Sequence, residues 1–203
     1  MYKLTPRMEQ NLRQLIKRYH DLVDGKRCES WQLEEFIVKA IRSDTTANHL
    51  PKWKEGGHDD KKDILIIENG KKHHIQVKSG QFNKNNSILT LSGYRLGRFK
   101  GDFGKITEYL NGKTANYIAT PYRKVDDASG RSHIYRLCYI NHYILGEIDS
   151  NNWRKQGASY KNQNQYGVIF SLSPSMSWQI WWKIPISCID MTDEFTDGRI
   201  ISS

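Results

Sequence analysis

Two early stretches of the chain repeat their apolar residues at helical spacing, and most of the remaining sequence repeats them at strand spacing. Met8, Leu12, Leu15, Ile16, Tyr19, Leu22 and Val23 share one helix face, with Gly25 as the expected stop. A second helix is predicted from Trp31 to Ile41. There Leu33, Phe36, Ile37, Ala40 and Ile41 form the apolar stripe and Ser30 is the expected N-cap. Asp63-Ile64-Leu65-Ile66 and Gln76-Val77-Lys78 flank Asn69-Gly70, a pattern that predicts a hairpin. Ser87 to Leu91 reads as a short strand. Asp102 then caps a helix carrying Phe103, Ile106 and Leu110, which Gly112 ends. Strand signals dominate afterwards, at Tyr117 to Tyr122, Ile134 to Ile140, Tyr166 to Leu172 and Trp178 to Ile184. Asp126 to Gly130 and Ser173 to Ser177 are the turns. Helices early and strands late predict an α/β fold, a single domain over residues 1–203 with a mixed central β-sheet flanked by helices.

The hairpin can be worked out residue by residue. A two-residue Asn-Gly loop of type I′ needs φ > 0 at both positions, which Asn tolerates and Gly takes freely. With Asn69 and Gly70 as the loop, Glu68 faces Lys71, Ile66 faces His73, Ile64 faces Ile75 and Asp63 faces Gln76. Side chains alternate across a strand, so His74, Gln76 and Lys78 share one face while Ile75 and Val77 join Ile64 and Ile66 on the other. A slip of one residue would reverse every side chain of a strand. The turn therefore decides whether an acid, an amide and an amine converge.

Composition narrows the partners. The chain has 203 residues, room for one core of ordinary size, and a formal charge of +9 that favours an anionic partner. Its 6 Trp and 11 Tyr can pack on nucleotides or fill cores, and nucleic acid is the anionic partner that uses both properties. Cys28, Cys138 and Cys188 are odd in number, far apart and without CxxC spacing, which indicates neither a disulfide framework nor a zinc site. No apolar run approaches the roughly 20 residues of a membrane span, and the start lacks a signal-peptide stretch. A cytoplasmic protein is the expectation.

The converging trio suits phosphodiester hydrolysis. That reaction develops charge on the attacking and leaving oxygens, and Mg²⁺ held by one or two carboxylates meets that need. Asp63 is the candidate anchor, Gln76 offers a neutral carbonyl oxygen, and Lys78 can orient water and neutralise charge. A further anion is available on the second predicted helix. At about 100° per residue, Glu34 lies roughly 90° from the middle of the apolar stripe and reaches a site beside the core, while Glu35 lies nearly opposite it and is expected in solvent. Glu34 reads equally well as a surface carboxylate near a helix N-terminus. His58-Asp59-Asp60 reads as a solvated loop or as an outer shell to the metal.

An acidic residue on an early helix, Asp63 opening a strand, and Gln76-x-Lys78 on the next strand resemble the PD-(D/E)XK nuclease superfamily, in particular its type II restriction endonucleases. The resemblance covers about residues 30 to 80. Lys62 stands where the family loosely keeps a proline, and Gln76 stands in place of the usual Asp or Glu. The resemblance implies a restriction-endonuclease-like fold and Mg²⁺-dependent cleavage of double-stranded DNA at a short sequence by a homodimer. Asp63, Gln76, Lys78 and Glu34 would be its catalytic set, with Asp63, Gln76 and Glu34 around the metal. A structure-selective or repair nuclease of the same superfamily and a catalytically inactive DNA-binding module are the alternatives.

Two segments are candidates for holding DNA. Ser92 to Gly101 sets Arg95, Arg98 and Lys100 among aromatics and glycines, a composition suited to a phosphate backbone. Tyr160 to Gln165 offers Lys161, Asn162, Gln163 and Gln165, whose amides match the bidentate pattern presented by adenine in the major groove. Either segment also reads as a solvated loop.

Overall fold

The computed structural model describes residues 1–23, 26–46, 48–53, 63–127 and 130–196. The expected helix stop at Gly25, the His58-Asp59-Asp60 segment, Lys62 and the tip of the Asp126 to Gly130 turn lie outside the described residues. In chain order the elements are α1 (Pro6–Leu22), α2 (Ser30–Arg42), β1 (His49–Lys52), β2 (Ile64–Glu68), β3 (Lys71–Phe82) and β4 (Ile88–Arg95). Then come α3 (Phe103–Asn111), β5 (Asn116–Asp127), β6 (Gly130–Tyr135) and β7 (Cys138–Ile140). The last are β8 (Arg154–Gln156), β9 (Ser159–Gln163), β10 (Ile169–Ser173), β11 (Gln179–Pro185), β12 (Asp190–Met191) and β13 (Phe195–Thr196). The protein is α/β, with three α-helices among the described residues and mixed, largely antiparallel strand pairing.

The chain divides into two compact units. The first is Met1–Ser79, Ala115–Tyr139 and Met191–Ser203; the second is Gly80–Thr114 and Ile140–Asp190.

In the first unit β1 pairs with β2, β2 with β3, and β6 with both β5 and β13. Helix α1 begins where Thr5 Oγ1 accepts the Met8 amide at 3.2 Å and donates to Asp44 Oδ2 at 2.8 Å. Its Met8, Leu12 and Ile16 are buried with Leu33, Ile37 and Ile41 of α2 and with Ile64, Ile66, Ile75, Val77 and Ile118 of the strands. Helix α2 starts one residue earlier than the sequence suggests. Glu29, not Ser30, is the N-cap, and Gln32 Oε1 accepts the Glu29 amide at 2.8 Å. The reciprocal cap outcompetes a lone serine because it satisfies two orphan amides. Ser30 is thereby freed for another partner. Glu35 lies half-exposed and pairs with Lys39 at 2.6 Å one turn on.

The hairpin adopts the register that the Asn-Gly loop dictates. Ile64 faces Ile75, Ile66 faces His73 and Glu68 faces Lys71, with φ of 49° at Asn69 and 82° at Gly70. Ile64, Ile66, Ile75 and Val77 are fully buried. Each contributes about 1.5–3 kcal/mol on burial, so a slipped register would forfeit an amount comparable with the ~5–15 kcal/mol net stability of a domain.

In the second unit the antiparallel order is β4, β11, β10, β9, β8, with Gly80 to Phe82 of β3 laid on β4. Gly93 is required at its position, because a Cβ there would sit 2.5 Å from Ile180 Cγ2 and 2.6 Å from the Trp182 ring. Four predicted boundaries move. Strand β4 runs on through Arg95, since Ser92 and Arg95 pair with Trp181 and Gln179. The strand expected from Ile134 to Ile140 breaks where the Arg136 amide turns to Pro121 O (3.1 Å) and the Leu137 amide to Thr192 Oγ1 (3.3 Å). The strand expected from Tyr166 begins only at Ile169, because Asn164 Oδ1 accepts the amides of Tyr166 and Val168, both at 3.1 Å, and makes a turn there. Finally, most of Tyr160 to Gln165 is strand β9 and not a loop.

Candidate functional site

The candidate site is built at the end of the hairpin away from its turn. Asp63 precedes β2, and its amide donates to Ile75 O at 2.9 Å. Its carboxylate then continues the ladder: Val77 N donates to Asp63 Oδ2 at 2.7 Å. A strand amide thus holds the carboxylate in one orientation beside Gln76 and Lys78. The ionised acid gains from this donor, since hydrogen bonds to a charged acceptor are shorter and stronger than neutral ones.

Gln76 departs from the simple picture of a solvated polar face. It lies on the side of β3 opposite Ile75 and Val77, yet it is only 2% exposed. Lys78, two residues along the same face, is half-buried.

Helix α2 and strand β1 bring Glu34 to the same end. Ser30 Oγ lies 3.2 Å from Ser79 Oγ and accepts the Ser79 amide at 3.3 Å, which fastens the start of α2 beside Lys78. Residues four apart share a helix face, so Glu34 comes one turn after Ser30 along it. Trp53 Nε1 donates to Glu34 Oε2 at 3.4 Å. Lys52 faces Leu65 in the antiparallel register of β1 and β2, and one step further Trp53 comes level with Ile64, the neighbour of Asp63. Sequence reasoning missed Trp53, Ser30 and Ser79 as supports. The only signal for them was the freedom of Ser30 once Glu29 and Gln32 cap the helix.

The side chains of Asp63, Glu34 and Gln76 offer two carboxylates and one amide oxygen, hard ligands of the kind Mg²⁺ takes. Among the described residues no group of three or more His, Cys, Asp or Glu side chains is positioned to hold a metal ion. A site with Gln as its third donor falls outside that description.

The candidate DNA-binding residues belong to the second unit. Arg95 and Lys100 are exposed, and Arg98 lies over the rings of Phe99 and Tyr109 at 5.0 and 4.6 Å. Lys100 has φ 50°, in the turn that leads into α3. Asn162 is a correction to the base-reading idea: it is 3% exposed, and its Nδ2 donates to Asp149 O at 2.7 Å. That amide serves the fold, because a strand side chain facing inward meets a loop carbonyl that needs a donor. Lys161 is half-buried and Gln163 exposed, while Gln165 is exposed and donates to Glu147 Oε2 at 2.6 Å. Phe103, Tyr160 and Trp178 pack beside this strand with ring centroids 4.9 to 6.4 Å apart.

No family model, curated protein or solved structure matches the chain. Among the described residues no helix is long and apolar enough to cross a membrane.

Proposed function

We propose that the protein is a Mg²⁺-dependent endonuclease that hydrolyses double-stranded DNA at a short specific sequence, in the manner of a type II restriction endonuclease, and acts as a homodimer. One observation carries this reading: the hairpin register puts a backbone-anchored carboxylate, Asp63, level with a buried amide, Gln76, on the strand that also carries a half-buried amine, Lys78. The resemblance of Asp63, Gln76-x-Lys78 and Glu34 to the PD-(D/E)XK pattern supports it, and so does the charge of +9. A two-fold symmetric DNA site invites a two-fold symmetric protein, which is the argument for the dimer.

Asp63, Glu34 and the Gln76 carbonyl oxygen would hold the ion. Bound Mg²⁺ supplies neutralising charge to the phosphate oxygens as the reaction develops. The remaining work falls to the chain's own groups. Lys78 orients water toward the phosphorus and offsets charge on the attacking or leaving oxygen. Its position two residues past Gln76 keeps the ammonium on the same side of the strand as that amide. The Val77 amide prevents Asp63 from swinging away, which preorganises the site before DNA arrives.

The test is digestion of a phage genome with Mg²⁺, with EDTA as the control. Discrete fragments, lost with EDTA, are expected, and end sequencing then gives the recognised bases. An intact genome under both Mg²⁺ and Mn²⁺ would sink the reading. Binding without product in that experiment would support an inactive DNA-binding module, the reading that the neutral Gln76 favours. Random or junction-selective nicking would support a structure-selective nuclease.

A further inference from the structure

The first unit contains a second feature that the catalytic trio does not use. Tyr19, Lys26, Arg27, Glu29, Tyr122 and Lys124 line a pocket of about 240 Å³ between the end of α1, the start of α2 and strand β5. The volume lies just under the ~300 Å³ at which pockets for whole drug-sized ligands begin. Such a recess suits one part of a ligand whose remainder lies outside.

Its chemistry selects an anion with an apolar flank. Arg27 engages Glu29 at two points, Nε to Oε1 at 3.2 Å and Nη2 to Oε2 at 3.3 Å, and lies 5.5 Å from the centroid of the Tyr122 ring. The one carboxylate of the pocket is therefore matched by its own cation. Lys26 and Lys124 are exposed, and among the described residues neither forms an ion pair. Two ammoniums without acidic partners among the described residues share the recess with two tyrosines, a combination that a phosphate with its attached sugar satisfies. The pocket also has a neighbour. Glu29 is followed by Ser30, whose hydroxyl lies 3.2 Å from that of Ser79, the residue after Lys78.

We propose that this pocket is a DNA-strand subsite, in which Lys26 and Lys124 hold a backbone phosphate next to the one presented to Lys78, with the sugar against Tyr19 and Tyr122. The inference rests on the nuclease reading for its choice of DNA as ligand. It predicts that the strand approaches the hairpin past the start of α2.

The experiment measures binding of a fluorescein-labelled mixed-sequence duplex by anisotropy over a range of salt in EDTA, where no cleavage is needed. The double variant Lys26→Ala with Lys124→Ala should bind at least about fivefold more weakly and lower the salt slope by about 1–2. Arg18→Ala with Lys39→Ala, which removes the same charge from a groove lined by Asn11, Gln14 and Leu15, should leave the slope unchanged. Equal effects of the two double variants would mean that net charge alone is being read, and would overturn the subsite. So would loss of binding to a free deoxynucleoside monophosphate with the duplex slope intact, because the ligand would then be a free nucleotide. A protein that fails to cut DNA but shows the slope change keeps the subsite and loses the nuclease reading. A protein that cuts DNA with an unchanged slope loses the subsite alone.

Discussion

Buried amides occur in both units, and their surroundings differ. In the second unit each one is matched to the backbone. Asn162 donates to Asp149 O at 2.7 Å, and Gln179 donates to Gly93 O at 2.8 Å. Asn164 donates to Ile144 O at 3.0 Å and Gly146 O at 2.8 Å while accepting the amides of Tyr166 and Val168. In the first unit Gln76 is equally buried, on the strand face that also carries Lys78 and level with Asp63. The contrast is one that residue type cannot draw: the amides of the second unit hold loops, and Gln76 is the one proposed above to serve a site.

The largest effect should come from the acid beside Gln76. Asp63→Asn retains an oxygen for the Val77 amide but removes the charge. Cleavage should therefore fall by at least about 10³-fold, while the urea midpoint stays near that of the parent. Cleavage at the parental rate would remove Asp63 from the site and leave it as a strand clamp only.

Next is the matched side of the contrast. Asn164→Ala abandons four hydrogen bonds at once and should lower stability by about 2–4 kcal/mol, measured by urea unfolding. A change below about 0.5 kcal/mol would mean that water replaces the side chain, and the distinction between the two units would break.

Gln76→Leu tests the first unit. Its volume is similar and it is as readily buried, so stability should change by less than about 1.5 kcal/mol. Metal-dependent cleavage should drop by about 10–100-fold. A loss of stability above about 2 kcal/mol, by the same unfolding assay, would show that the amide serves the fold instead.

The smallest effect belongs to the exposed basic segment. Arg95→Ala should weaken binding to every DNA sequence alike and reduce the salt slope by about 1. An anisotropy titration with an unchanged slope would remove Arg95 from any interface.

Legibility in the sequence tracked the range of the interactions involved. The Asn69-Gly70 turn and the alternation on either side were enough to pair Ile64 with Ile75 and Glu68 with Lys71, because a two-residue loop leaves one register open. The stripe of α2 likewise located Glu34 on a flank of the helix, whereas Glu35, expected in solvent, is half-exposed and paired with Lys39. Asn162 could not be read in the same way. Its fate depends on a carbonyl 13 residues away in an irregular segment, and no local pattern announces such a demand. The same holds for Ser92 to Arg95, which joined a strand because Gln179 and Trp181 pair with it across more than eighty residues of chain.

The order of residues alone was thus enough for the α/β character, the tight hairpin and the side of it that carries Asp63, Gln76 and Lys78, since alternation and turn geometry act between near neighbours. It took the folded chain to shut Gln76 away from water, to tie Glu34 to Trp53 and Ser30 to Ser79, and to assign Asn162 to a distant loop. Desolvation and hydrogen-bond matching are set by whatever packs against a residue, and those neighbours arrive from elsewhere in the chain.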